Sequence, residues 1–173
     1  PDIRTLRMRY ADSIEPERPY LVLGEDTQLE ISFDEMSQDI RQYSYTIQHL
    51  DKAGIPDDLS SVEYLRGFSN LDITDYALGF NTSRIYTHYT LFFPNDDMQV
   101  TRSGNYALIV YESGYPERVQ LVQRFEVVEP QTRIDARIRA NTDIEINGRY
   151  QQLDITLSDL MGNNCANEYS IVV

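Results

Sequence analysis

Several features that would narrow the function are missing from this sequence. It has no tryptophan and a single cysteine, Cys165, among 173 residues, so it cannot form a disulfide within the chain. No cationic side chain lies near Cys165 in the sequence, and we expect an ordinary structural thiol. No run of about 18 apolar residues exists, which excludes a membrane-spanning helix. The sequence begins at Pro1 with neither an initiator methionine nor an apolar leader, as after signal-peptide removal or trimming.

Basic residues are also few. The chain has 15 lysines and arginines against 28 acidic residues, which gives a net charge of −13. This charge disfavours binding to nucleic-acid phosphates or to anionic lipid. Because 41% of the residues are hydrophobic, the chain can bury a core, and its length suits one domain or two small ones.

Catalytic and metal-binding motifs are absent from the sequence. His49 and His88 lie far apart, each within a strand pattern, where a packing or interface role is the more common one. No nucleophile elbow, zinc-protease motif, glycine-rich phosphate loop or paired-cysteine spacing occurs. Residues 57–58 and 95–97 offer oxygen atoms for calcium, although Asn and Asp clusters are ordinary turn formers. We therefore predict no enzyme activity, no cofactor and no metal, with a pair of glycosidase-like carboxylates as a minor alternative.

The dominant period of the sequence is two, which indicates β-strands. Alternating segments separated by turn residues cover about seven short strands before Glu129. The clearest are 29–33, 43–49, 89–93, 106–110 and 119–127, and further candidates are 3–9, 20–23 and 73–80. This pattern predicts an all-β fold, an immunoglobulin- or fibronectin-like antiparallel β-sandwich, over residues 1–129.

One local motif supports the sandwich. Gly104, Tyr106 and Leu108 form a Gly-x-Tyr-x-apolar pattern at the start of a strand. This is the sequence form of a tyrosine corner, in which the phenol forms a hydrogen bond to the preceding connection.

Residues 130–173 form a separate group of alternating segments after Glu129. Ile134, Ala136 and Ile138 alternate with polar residues, as do Leu153, Ile155 and Leu157. About three strands cannot close a sandwich alone. We predict that these residues begin a second, incomplete β domain. The alternative is that they pack on the first domain as extra strands.

The connection at residues 51–70 is far longer than usual for a sandwich. Ser60 and Glu63 match a capping box, which predicts a brief helix that Gly67 would stop. Long ordered connections often carry function.

Aromatic residues are in excess, with 13 tyrosines, and six aromatic residues lie between positions 64 and 89. The strand from Tyr106 also has apolar residues on both faces, because Ala107, Ile109 and Tyr111 alternate with the core set. Something must cover that outer face: the 51–70 connection, the second domain or a partner protein. We favour cover by the chain itself. The candidate partner-contact residues are Tyr64, Phe68, Tyr76, Tyr86, His88, Ile109 and Tyr111. Two modification motifs also occur, at Asn81 and Ser13.

A series of segments then appears in a distinctive order. It runs Tyr45-Thr46-Ile47-Gln48-His49-Leu50-Asp51, Pro56-Asp57-Asp58-Leu59-Ser60, Glu63-Tyr64-Leu65-Arg66-Gly67-Phe68, Ile73-Thr74-Asp75-Tyr76, Phe80-Asn81-Thr82, Tyr86-Thr87-His88-Tyr89, Phe93-Pro94-Asn95-Asp96, Ser103-Gly104-Asn105-Tyr106 and Arg124-Phe125-Glu126-Val127-Val128. The series resembles the N-terminal domain of the type 9 secretion system plug proteins of Bacteroidota, over residues 20–157. Ile55 stands where a tryptophan is common in that family.

The resemblance implies an exported, non-enzymatic protein that is periplasmic or associated with the outer membrane. It implies a protein partner, a very large outer-membrane translocon barrel whose periplasmic opening the protein caps. The alternative is a surface adhesion or glycan-binding module of a Bacteroidota bacterium.

Overall fold

The computed structural model describes residues 3–13, 19–37, 39–79, 85–129, 132–139 and 151–159. The chain divides into two compact units, Pro1–Glu129 and Pro130–Val173. The elements are β1 (Ile3–Tyr10), β2 (Tyr20–Val22), β3 (Leu29–Glu35), β4 (Tyr43–Leu50), α1 (Ser61–Tyr64), β5 (Leu65–Gly67), β6 (Asn70–Asp72), β7 (Asp75–Leu78), β8 (Thr87–Phe93), β9 (Met98–Val100), β10 (Gly104–Glu112), β11 (Tyr115–Val128), β12 (Thr132–Arg139) and β13 (Gln152–Asp159).

Two main sheets form the first unit, which confirms the predicted all-β fold. One sheet has the order β1-β3-β8-β7 and the other β2-β11-β10-β4-β6. Neighbouring strands are antiparallel, except that β2 runs parallel to β11. The described part of this unit has eleven strands rather than about seven, because β5, β6 and β9 span only three residues each, too few to show an alternating pattern. The immunoglobulin-type assignment stays a prediction.

Aromatic rings join the two sheets. Tyr43 of β4 contacts Phe33 of β3 and Tyr89 of β8, with ring centroids 5.9 and 5.1 Å apart. Phe93 of β8 meets Phe125 of β11 at 5.6 Å. Such edge-to-face pairs add to the free energy that burial of the rings contributes. Much of the tyrosine content therefore serves the core.

The tyrosine corner forms as predicted. The Tyr106 hydroxyl donates a hydrogen bond of 2.7 Å to the carbonyl of Arg102, and the Tyr106 side chain is fully buried. Its ring stacks on Phe125 at 5.6 Å. The bond satisfies the hydroxyl and fixes the connection that leads into β10.

The 51–70 connection contains the predicted helix. The Glu63 carboxylate accepts a hydrogen bond of 2.8 Å from the Ser60 backbone N–H, as in a capping box. However, α1 ends at Tyr64, so the predicted stop at Gly67 is wrong. Residues 65–67 instead pair with β9. Gly67 has φ +96°, and a Cβ atom there would collide with the Asp97 carbonyl, which explains the glycine.

The second unit contains the antiparallel pair β12–β13 among its described residues. Ile138 faces Leu153 and Ile134 faces Leu157, so the aliphatic side chains share one face of the pair. Ile134 and Ile138 are exposed. The second domain inferred from sequence stays a prediction, and Cys165 lies outside the described residues.

Within the described ranges, α1 is a helix of four residues, and no helix there is long and apolar enough to cross a membrane.

Candidate functional site: a candidate protein-docking surface

Tyr64 lies in the core. Its side chain is 3% exposed, and its hydroxyl donates a hydrogen bond of 3.2 Å to the Ile47 carbonyl. Its ring contacts the rings of His49 and Tyr106 at 5.7 and 5.9 Å. Tyr64 therefore anchors the 51–70 connection to the sandwich and presents little surface to a partner.

The outer face of β10 is covered at both of its ends. Ala107 is 4% exposed and pairs with Arg124, whose guanidinium donates a hydrogen bond of 3.1 Å to the Gly54 carbonyl. Arg124 thus links this end of the face to the 51–70 connection. Tyr111, at the other end, is 7% exposed, although we predicted it as a partner contact.

Beside Tyr111, hydroxyl groups form a network. Ser44 pairs with Tyr111, and the Ser44 hydroxyl lies 2.6 Å from the Asp72 carboxylate and 2.8 Å from the Ser113 hydroxyl. The chain itself therefore covers the two ends of the face.

The middle of the face remains open. Ile109 is partly exposed and pairs with Val122 of β11, which is 52% exposed. Val119, opposite Tyr111, is 48% exposed. We call Ile109, Val119 and Val122 the outer patch. Neither valine was among the predicted contacts. Val122 faces outward by regular alternation with the buried Leu121, and register shifts in β11 move Val119 onto the same face.

Charged residues lie near this patch at the tip of the β10–β11 hairpin. Arg118 lies 3.2 Å from the Glu112 carboxylate, and its guanidinium carbon sits 4.2 Å above the centroid of the Tyr115 ring. The patch thus combines apolar area with nearby polar groups, the arrangement typical of protein-binding surfaces.

Three other predicted partner-contact residues, Tyr76, Tyr86 and His88, lie along the β7–β8 hairpin. Tyr76 is 47% exposed, and its ring lies 5.8 Å from the buried Tyr89 ring. His88 pairs with Ala77, and its Nδ1 lies 2.6 Å from the Asp34 carboxylate. The Tyr86 carbonyl accepts a hydrogen bond from Gly79 at 2.9 Å.

Phe68, the remaining candidate, is 61% exposed in the turn between β5 and β6. The seven predicted residues therefore do not form one surface. Of the two modification motifs, Asn81 lies outside the described residues, and Ser13 lies after β1, with Ile14 of its motif also outside them.

Acidic clusters in the described residues act as turn formers. Asp57 Oδ1 accepts a hydrogen bond from the Leu59 N–H at 3.2 Å, and its other oxygen pairs with His49. Asn95 Oδ1 accepts hydrogen bonds from the backbone N–H groups of Asp97 and Met98, at 3.1 and 2.9 Å. Within the described ranges, no three His, Cys, Asp or Glu residues are arranged to hold a metal ion.

A buried carboxylate, that of Glu35, lies at the end of β3. Glu35 is fully buried, and its Oε1 lies 3.2 Å from Arg41 Nε, although neither oxygen receives a hydrogen bond of good geometry from the described residues. Burial raises the pKa of the nearby Tyr43 hydroxyl, and the Glu35 charge raises it further. Burial also raises the pKa of Tyr106. Because Glu35 and Tyr43 are closed to solvent, they have no access to a substrate.

The surface of the described residues includes grooves of about 520, 700 and 730 Å³. The first includes Tyr106 and Phe125 in its lining, but both rings are buried. The described linings of the other two contain no tyrosine or phenylalanine. A sugar site typically uses an exposed aromatic face, so the grooves give no support to the glycan-binding alternative.

One solved structure has a similar fold. A crystal structure of a hypothetical protein from Parabacteroides merdae ATCC 43184 is similar to this chain, with 36% sequence identity and a TM-score of 0.76. The match covers 91% of this chain and 39% of that protein. A second match is a structure of the Pseudomonas fluorescens alkylpurine DNA glycosylase AlkC bound to DNA containing an abasic site analog. The match has 12% sequence identity and covers 72% of this chain and 29% of that protein. Its TM-score of 0.39 is too low to indicate a shared fold. No curated protein matches.

The sequence model of the family described as "Type 9 secretion system plug protein 1st domain" matches residues 3–129. This range covers the whole described two-sheet unit, from β1 to the end of β11. The segment order in the sequence points to the same family as this match, and the matched range coincides with the two-sheet unit. The chain belongs to the type 9 secretion system plug protein family.

Proposed function

We propose that this chain is a non-enzymatic docking module that helps to seal the periplasmic side of the type 9 secretion translocon. In this proposal the protein is exported and is located on the periplasmic side of the outer membrane, where it binds a large translocon barrel. Membership of the plug family supports a role in type 9 secretion. The observation that carries the docking role is the outer patch.

The outer patch suits binding because it is apolar, contiguous and supported by rigid structure. Ile109 and Val122 are direct neighbours across the central strands of the five-stranded sheet. The opposite face of β10 is fully buried in the core, which holds these strands in place. Removing half-exposed aliphatic side chains from water contributes about 25 cal/mol per Å² of buried area.

The charge of the chain adds a requirement on the partner. At −13, the protein repels acidic surfaces and favours a partner with basic groups around the contact. A translocon surface that receives this chain should therefore present basic side chains around an apolar centre. The chain spans 39% of the similar Parabacteroides protein, and the role of a whole plug protein is part of the proposal.

The test is co-purification of the barrel from the native organism with tagged protein that carries Val122→Lys. We expect at least a tenfold loss of recovered barrel, because a lysine places a charge at the centre of the apolar contact. The free energy of unfolding should change by no more than about 0.5 kcal/mol, since Val122 is half exposed.

The matched control is Val62→Lys. Val62 lies on α1 and is 82% exposed, so a lysine there should leave both the stability and the recovery of the barrel unchanged. A folded Val122→Lys protein that recovers the barrel as well as the wild type would contradict docking through the outer patch. Failure of the wild-type protein to recover any translocon component would contradict the proposed function itself.

A further inference from the structure

Sheet edges expose unpaired backbone groups, and three of the four edges of the sandwich carry protection. β1 has a register shift between Arg4 and Arg7, and Thr5 within it adopts φ 55°. Such a bulge and a row of arginines both discourage pairing with another strand. The edges formed by β2 and β6 are only three residues long.

The fourth edge, β7, is four residues long and has neither a bulge nor basic residues. It pairs with β8 in a regular register from Asp75 opposite Thr90 to Leu78 opposite Thr87, without a bulge. It contains no lysine, arginine or proline, and all four of its residues are exposed. Among the described residues, no strand pairs with its other side.

The hydrogen-bond pattern shows which backbone groups of β7 point outward. The Gly79 N–H donates to the Tyr86 carbonyl, so Gly79 and Tyr86 form a hydrogen-bonded pair. In an antiparallel ladder such pairs alternate, and the backbone groups of Ala77 and Asp75 therefore also face β8. Those of Tyr76 and Leu78 point away from β8, toward the open edge.

The same two residues also carry exposed apolar side chains. Tyr76 is 47% exposed and Leu78 is 37% exposed, and both lie on the core side of the sheet, where the Tyr76 ring meets Tyr89. The two core-side side chains of β7 are therefore left partly exposed at this edge. A strand added beside β7 would bury both side chains and pair the outward N–H and C=O groups of both residues.

The solvent side of the edge is acidic. Asp75 lies on this side, and the Asp34–His88 pair lies on the strands beyond it. A strand added here meets apolar side chains on one side and the Asp75 carboxylate on the other. A second copy of this chain would bring another Asp75 and a further net charge of −13 to the contact, which disfavours self-pairing.

We propose that β7 receives an extended protein segment as an added strand, and that this segment alternates apolar with basic residues. The apolar residues would pack on Tyr76 and Leu78, and the basic residues would lie on the same side as Asp75. Main-chain hydrogen bonds provide affinity in this mode, and the alternating side chains provide specificity. The proposal does not depend on the translocon role or on the outer patch.

The test measures amide hydrogen exchange by NMR on the whole chain, with a seven-residue peptide of alternating lysine and valine as the probe. We expect the Tyr76 and Leu78 amides to exchange at least tenfold more slowly when the peptide is present, because both N–H groups gain an acceptor. A peptide of alternating glutamate and valine should change these rates less than twofold.

Two variants make the test specific. Leu78→Pro removes an outward N–H without removing a hydrogen bond to β8, and should abolish the protection. Tyr76→Lys keeps the N–H but replaces the apolar contact with a charged side chain, and should weaken binding at least fivefold. Tyr20→Lys is the matched control, because Tyr20 is 48% exposed on the β2 edge, and it should bind the peptide normally.

Three results would overturn the proposal. The first is equal protection by the two peptides, and the second is protection at β1, β2 or β6 in place of β7. The third is protection that rises with protein concentration in the absence of peptide, which would make a second copy the occupant. If peptide protection occurs but no barrel is recovered from cells, the strand-addition site stands and the proposed translocon role fails.

Discussion

The two faces of β10 are both apolar, yet they differ in how they are covered. On the inner face, Tyr106, Leu108 and Val110 are fully buried between the two sheets. On the outer face, the 51–70 connection and a serine–aspartate network cover only the ends, and the middle remains open at Ile109. An apolar strand face can thus be a core or a candidate docking surface, and only its neighbours distinguish the two.

The same comparison changes the interpretation of the tyrosines. We predicted Tyr64 and Tyr111 as partner contacts, but both are buried. Val119 and Val122 were not predicted, and both are half exposed. The content of interface-type residues is therefore a poor guide to the location of this surface. The pairing of β10 with β11 is the better guide.

Matched valine substitutions test the difference between the two faces most directly. We expect Val110→Ala to lower the free energy of unfolding by about 3 kcal/mol, because it removes two buried methyl groups and leaves a cavity. Val122→Ala, the same chemical change on the outer face, should cost no more than about 0.5 kcal/mol. Chemical denaturation measures both. Equal losses would show that the outer face is as closely packed as the core.

Alkaline pH should weaken the inner face selectively. Burial raises the pKa of Tyr43 and Tyr106 above the ordinary value of 10.0, and it raises those of Tyr45, Tyr64 and Tyr89 in the same direction. Below pH 10 these tyrosines are protonated in both the folded and the unfolded chain, so their contribution is complete. Above pH 10 the unfolded chain loses protons first, and stability falls.

Between pH 10 and pH 11 we expect a loss of about 2 kcal/mol from Tyr43 and Tyr106 together. Denaturant titrations over this range, with tyrosinate absorbance in parallel, measure the effect. Unchanged stability between pH 10 and pH 11 would contradict the prediction.

The smallest effect concerns one hydroxyl group. Tyr106→Phe removes the hydrogen bond to the Arg102 carbonyl and should cost about 1 kcal/mol. Tyr111→Phe, on the outer face, removes no hydrogen bond that the structure shows among the described residues, and should cost less than about 0.5 kcal/mol. Thermal unfolding of the two variants provides the comparison, and a larger cost for Tyr111→Phe would reverse the roles assigned to the two faces.

Much of the fold was predictable from sequence because long strands repeat a period of two. β3, β4, β8 and β10 were identified from that alternation, and the tyrosine corner from three residues. The strands β5, β6 and β9 were missed, since three residues cannot display a period. The helix stop at Gly67 was placed wrongly because pairing with β9, a contact distant in sequence, decides the conformation there.

By itself, the sequence determined the all-β class, the capping box, the tyrosine corner and membership of the plug family, because each depends on neighbouring residues or on the order of segments. The tertiary structure decided which apolar residues are exposed. It placed Val122 beside Ile109, buried Tyr64, and left β7 as an unprotected edge. Burial and strand register depend on residues that are distant in the chain, and no local pattern specifies them.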